Sequence, residues 1–146
     1  MTSLTLALYA SDSDLREQVR LALGDRLADD LPTVDVEEFA TPAALMAALD
    51  KTAYDCVVLD AEAVPEGGMG LAYRIKDEIK EPPPTVVIVA RQVDAWLATW
   101  SRADGVTSSP IDPLTLPTVV AEVVRANQAG TLTDTSIVPG GASRHG

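Results

Sequence analysis

The residue best placed to do chemistry is a carboxylate at the end of an apolar run: Asp60 closes the segment YDCVVLD. Asp12 and Glu62 could add carboxylates beside it. Asp12, however, reads as a helix cap, and Glu62 as a side chain facing water. Cys56 is the single cysteine, so the chain can form no internal disulfide. Its place inside an apolar run makes it an inert core thiol rather than a redox sensor. The one histidine, His145, stands in the last two residues, which leaves histidine-based zinc sites and Ser-His or Cys-His nucleophiles without a foundation. Trp96 and Trp100 are four residues apart and would share one face of a helix. They either pack on a core or serve as a partner contact, since tryptophan is favoured at binding hot spots.

These side chains must be positioned by short apolar runs that alternate with helical patterns. Leu4 to Tyr9 is apolar on both faces, as a buried strand should be. Asp12 or Ser13 can cap a helix whose stripe is Leu15, Val19, Leu23 and Leu27. Val34 to Phe39 alternates apolar and acidic residues, the pattern of an edge strand with one wet face. Thr41-Pro42 fills the cap and first positions of a second helix, with Leu45 and Leu49 facing in. Tyr54 to Leu59 is the third strand. Val64 to Gly70, with one proline and three glycines, reads as a loop. Leu71, Ile75 and Ile79 mark a third helix, stopped by Glu81 and by Pro82 to Pro84. Thr85 to Ala90 is the most apolar strand, 94–102 a short helix, and Val106 to Ser108 a short strand. Val119, Val120, Val123 and Val124 mark a last helix, with Pro113 or Pro117 in its first turn. Residues 1–128 therefore form one domain. From Ala129 Thr, Gly and Ser dominate, so 129–146 reads as a disordered tail.

Five βα units imply an α/β fold, a doubly wound parallel sheet with helices on both faces. In the flavodoxin-like order 2-1-3-4-5, ligands bind at the carboxyl ends of the strands, near the switch point between the first and third. The residues there are Tyr9 to Asp14, Leu59 to Glu62, Ala90-Arg91 and Ser108 to Pro110. They include no histidine, no lysine and no paired acids. No catalytic residue is assigned, and the chain is not expected to be an enzyme.

On these residues the sequence resembles the receiver domain of bacterial response regulators, over about residues 4 to 128. Asp60 ends the third strand where receivers carry the aspartate that accepts a phosphoryl group. Pro65 and Gly70 resemble the proline and glycine of that family's following loop, Pro84 the residue that opens its fourth strand, and Arg16 an arginine at the usual distance after the first strand. Ser109-Pro110 falls where receivers have a lysine and a cis proline, which makes a cis bond before Pro110 an expectation. The departures are as informative. The two adjacent acids that hold Mg²⁺ in receivers are matched by Ala10 and Ser11. The lysine is matched by Ser109, the hydroxyl residue of the fourth strand by Val89, and the aromatic switch residue of the fifth by Val106. Two acids and the lysine are lost together, which leaves Asp60 as a lone charge that can be hydrated or bonded by Ser11 or Ser109. The resemblance thus implies a degenerate acidic pocket made of Ala10, Ser11, Asp12, Glu62, Val89, Ser109 and Pro110. No metal site and no cofactor are expected, and Mg²⁺ binding should be weak or absent.

Charge bears on partners. With 11 basic and 22 acidic residues, the net charge is 11 − 22 = −11 and the pI is near 4.3. Nucleic acid and anionic membrane both need a positive face. No apolar run reaches the ~20 residues of a membrane helix, and no secretion signal is visible. A reducing cytoplasm and a protein partner are expected, with the chain a monomer or weak dimer. The candidate partner surface is Trp96, Trp100 and Val106. The acids Asp25, Asp29, Asp30, Asp35, Glu37 and Glu38 form either a solvated face or a dock for a basic partner. The leading expectation is a stand-alone receiver-like module that signals by protein contact, with phosphorylation of Asp60 lost or weak. The alternatives are a conventional phosphoaccepting receiver with a rearranged metal site and a small flavodoxin-like cofactor binder. Against the latter, the stretch from Ala10 to Asp14 has no glycine to cradle a phosphate and two acids to repel one.

Overall fold

The computed structural model describes residues 3–91 and 101–130. Alternation of side chains along buried strands divides the core into two layers. Leu4, Leu6, Leu8, Cys56, Val58, Val86 and Ile88 point to one side, where they meet Val19 and Leu23 of the first helix and Leu116, Val119, Val120, Val123 and Val124 of the last. Ala7, Tyr9, Val57, Leu59, Val87, Val89 and Val106 point to the other, against Leu45, Leu49, Leu71 and Ile75. Burying each large aliphatic side chain is worth about 1.5–3 kcal/mol, so both faces of the sheet must be covered at once.

The strands are β1 (Leu4–Tyr9), β2 (Val34–Phe39), β3 (Cys56–Asp60), β4 (Thr85–Val89) and β5 (Gly105–Ser108). They form one sheet in the order β2-β1-β3-β4-β5, and every neighbouring pair is parallel. The described helices are α1 (Ser13–Leu23), α2 (Pro42–Lys51), α3 (Gly68–Glu78) and α4 (Thr115–Gln128). This is the expected doubly wound sheet. Asp12 caps α1, its carboxylate accepting the Asp14 N–H, and Thr41 with Pro42 opens α2 as expected. The uncertain start of α4 is settled by Asp112, whose Oδ1 accepts the N–H groups of Leu114 and Thr115 at 2.7 and 3.0 Å. Pro117 lies in its first turn. The Ser109–Pro110 peptide is cis, as expected, and so is Val64–Pro65.

Three expectations need correction. First, β3 begins at Cys56 rather than Tyr54; it ends on Asp60, which pairs with Ile88 of β4. Second, the segment from Val64 to Gly70 is not all loop, since α3 begins at Gly68. Gly68 is glycine because α3 starts against the end of β3: a Cβ there would meet the Asp60 backbone at 2.8 Å and the Leu59 Cβ at 2.9 Å. That close approach, which turn chemistry would not signal, falls at Gly68 and not at Gly70, where a Cβ would meet only the Glu66 carboxylate at 3.9 Å. Third, Val106 is 1% exposed within the core layer of α2 and α3, so its side chain offers no surface to a partner. Of the helix expected over 94–102, only Ser101 and Arg102 are described, as a turn. Trp96, Trp100, His145 and the segment beyond Gly130 lie outside the described residues. Among the described residues no helix is long and apolar enough to cross a membrane.

Candidate functional site

β1 and β3 are adjacent and parallel, so their carboxyl ends open on the same edge of the sheet, where Tyr9 lies opposite Leu59. Asp60 is the last residue of β3 and is 7% exposed. Its Oδ1 accepts the Glu62 N–H at 3.0 Å, and its carbonyl accepts the Ala63 N–H at 3.2 Å. Among the described residues it makes no ion pair. Burial pushes its carboxyl above the usual aspartate range; the Glu62 N–H opposes this, and the charges of Glu62 and Asp12 add to the rise. Of these three carboxylates only Asp60 is buried.

The other residues expected here are engaged elsewhere. Ala10 is fully buried; its N–H donates to Phe39 and its carbonyl accepts the Arg16 Nη1 at 2.6 Å. Arg16 also pairs with Glu38 at 3.1 Å, which turns this cation toward β2. The Ser11 hydroxyl, expected on Asp60, instead accepts the Val64 N–H at 3.2 Å. Asp12 is exposed and caps α1. Glu62 is exposed and touches Asp60 through its backbone. Val89 is buried in the core. Ser109 is exposed, and its N–H is bound to the Val89 carbonyl at 2.8 Å. Among the described residues no group of three His, Cys, Asp or Glu side chains is placed to hold a metal ion. Cys56 is free and buried, and burial pushes its thiol far up, which keeps it in the unreactive protonated form.

Tyr9 is the site residue whose role the sequence concealed. Its ring is buried and its hydroxyl donates to the Glu66 carbonyl at 2.6 Å. Burial first, and then the charges of Glu66 and Asp60, push its pKa up, so the phenol stays protonated and keeps donating. Glu66 is held a second time by Arg74 at 2.6 Å. The available signal was a lone phenol ending a strand of aliphatic residues, since a buried tyrosine hydroxyl needs a partner.

Of the six acids around β2, Asp25 and Asp29 are exposed and the other four have partners. Asp30 pairs with Arg125 at 2.6 Å and Glu38 with Arg16 and Arg20 at 3.1 and 3.3 Å. Glu37 accepts the Tyr54 hydroxyl and Asp35 the Ser3 hydroxyl.

No protein-family model matches the sequence. The chain is 41% identical over 125 residues to two proteins of Mycobacterium tuberculosis, strains CDC 1551 and H37Rv, each described as an uncharacterized response regulatory protein. The match covers 86% of this chain and 94% of each relative. Among solved structures, the signal receiver domain of a LuxO repressor protein from Vibrio parahaemolyticus superposes with a TM-score of 0.73 at 14% identity, over 88% of this chain and 95% of that one. The BeF3-activated receiver domain of DrrB gives 0.66 at 18% identity, over 85% and 99%. At those identities the structures establish the fold.

Proposed function

Because the chain belongs to the response regulatory proteins, we propose that it is a receiver-type signalling module whose output passes through protein contact, with Mg²⁺-dependent phosphoryl transfer to Asp60 weak or lost. The observation that carries this reading is the donor set at the end of β1. Ala10 has no ligating side chain and its carbonyl is bound by Arg16; the Ser11 oxygen is bound by the Val64 N–H. Mg²⁺ takes oxygen ligands in near-octahedral geometry and leans on one or two carboxylates, which these positions do not supply. At Ser109 there is no cation to meet a phosphoryl group with a charge-assisted bond. The module acts in the cytoplasm, without enzymatic activity of its own.

The rival reading, a switchable receiver with a rearranged metal site, draws on the charges of Asp12 and Glu62, which both act on Asp60. Intact-mass spectrometry after incubation with acetyl phosphate, with and without Mg²⁺ and beside Asp60→Ala, separates the two. The expected outcome is little or no adduct under either condition. A substantial Mg²⁺-dependent phosphoryl adduct that disappears in Asp60→Ala would overturn the reading in favour of the rival.

A further inference from the structure

The loop between β3 and α3 is tied from two sides. Its first half belongs to Asp60, which accepts the N–H groups of Glu62, through its carboxylate, and of Ala63, through its carbonyl. Its second half belongs to β1: the Ser11 hydroxyl accepts the Val64 N–H, and the buried Tyr9 hydroxyl holds the Glu66 carbonyl. The loop then enters α3 at Gly67 and Gly68, where a Cβ would lie 2.5 Å from the Ala61 carbonyl oxygen or 2.8 Å from the Asp60 backbone.

We propose that Tyr9 and Ser11 form a fixed strap that sets the position of the second half of this loop, 64–66, independently of the charge on Asp60. The inference rests on the signalling reading above and supplies its regulation: what the module presents beside Asp60 is set by packing under β1, not by a switchable group. Tyr9 is the stronger tie. Its ring is locked in the core layer of α2 and α3, so the hydroxyl reaches Glu66 with little freedom left to lose. A bond made by an already immobile donor costs little further ordering. Ser11 is exposed, so water competes for its bond and it is the weaker tie. The strap holds an apolar side chain in place, since Val64 is 68% exposed on the crest of the loop.

Residue-resolved amide exchange by NMR on the full chain tests this. Ser11→Ala should speed exchange at Val64 alone. Tyr9→Phe keeps the ring and its packing, and should speed exchange severalfold at Val64 and shift the Glu66 resonances, while the β3 amides keep their rates. Asp60→Asn should alter Glu62 and leave Val64 within twofold of the parent. An unchanged Val64 and Glu66 in Tyr9→Phe would overturn the proposal, because the hydroxyl would then be a core group only. A Val64 that follows Asp60→Asn as strongly as Glu62 does would also overturn it, because the loop would then move as one piece with the aspartate. All of these readings are made on unphosphorylated protein. Failure of the phosphorylation assay therefore remains separate from failure of the strap.

Discussion

Two aspartates are buried at opposite ends of the sheet, and the fold treats them differently. Asp104 leads into β5 at the amino end and is 2% exposed. Its Oδ2 receives the Lys76 ammonium at 2.7 Å and the Thr85 N–H at 2.8 Å, so its charge is matched and α3 is tied to the sheet. Asp60, at the carboxyl end, has one backbone N–H on its carboxylate, two neighbouring acids and a raised pKa. The buried carboxylate at the amino end is given a cation; the one at the carboxyl end, among the described residues, is not. Asp60 thus carries a desolvation cost that one backbone N–H only partly offsets, and perturbed carboxylates of this kind collect at functional positions.

The strongest way to break the comparison is to remove the cation at the structural end. Lys76→Met should cost about 3 kcal/mol in chemical denaturation, because it leaves the Asp104 charge buried without its partner. A cost below ~1 kcal/mol would mean that Asp104 is satisfied by the Thr85 N–H alone. A smaller effect, of opposite sign, is expected at the other end. Asp60→Asn keeps an acceptor for the Glu62 N–H and removes a charge that burial disfavours, so at neutral pH the variant should equal or exceed the parent by up to ~1 kcal/mol. Its pH dependence follows from the direction of the shift. With the folded pKa above the unfolded value near 3.8, the folded parent binds more protons between the two. The parent therefore loses stability as pH rises through that window. The advantage of Asp60→Asn should be full at pH 7 and shrink as pH falls through the folded pKa of Asp60 toward 3.8; an advantage that grows on acidification would reverse the assignment. The smallest change sharpens the comparison by giving Asp60 a cation. Ser109→Lys, on an exposed position, should alter stability by no more than about 0.5 kcal/mol and lower the Asp60 pKa in an NMR titration. An unmoved pKa would place Ser109 beyond reach of the carboxylate.

Much of this was legible in the sequence because it depends on local pattern. β1 and β2 have the expected bounds, the sheet order follows from alternating elements, and Asp60 stands at the strand end where its apolar run placed it. The misreadings share a cause. Gly67, Gly68 and Gly70 carry the same local signal, and only the contact with the end of β3 shows that Gly68 opens a helix. Val106 sits on an outer strand, and its burial in the core layer it shares with α2 and α3 is a matter of packing that strand order alone does not convey. Tyr9 and Glu66 are 57 positions apart, and Lys76 and Asp104 are 28 apart. Until the register of β4 and β5 is known, Asp104 is one acid among 22. Pairings at such separations are set by topology, and residue type carries no trace of them.

The division of the core into two layers bears on how the chain is made. Synthesis delivers the polypeptide from its amino end at ~5–20 residues per second. The α2 and α3 side of β1 and β3 gains its cover early, within 78 residues. On the other side, Leu6, Leu8, Val58 and Ile88 have only α1 until α4 emerges at 115–128. Until then a nascent chain would leave part of that aliphatic face open to chaperones and to neighbouring nascent chains. The Arg125–Asp30 pair fastens the late helix to a loop translated some 95 positions before it. Any truncation or premature stop before 128 would strand the product in that half-covered form.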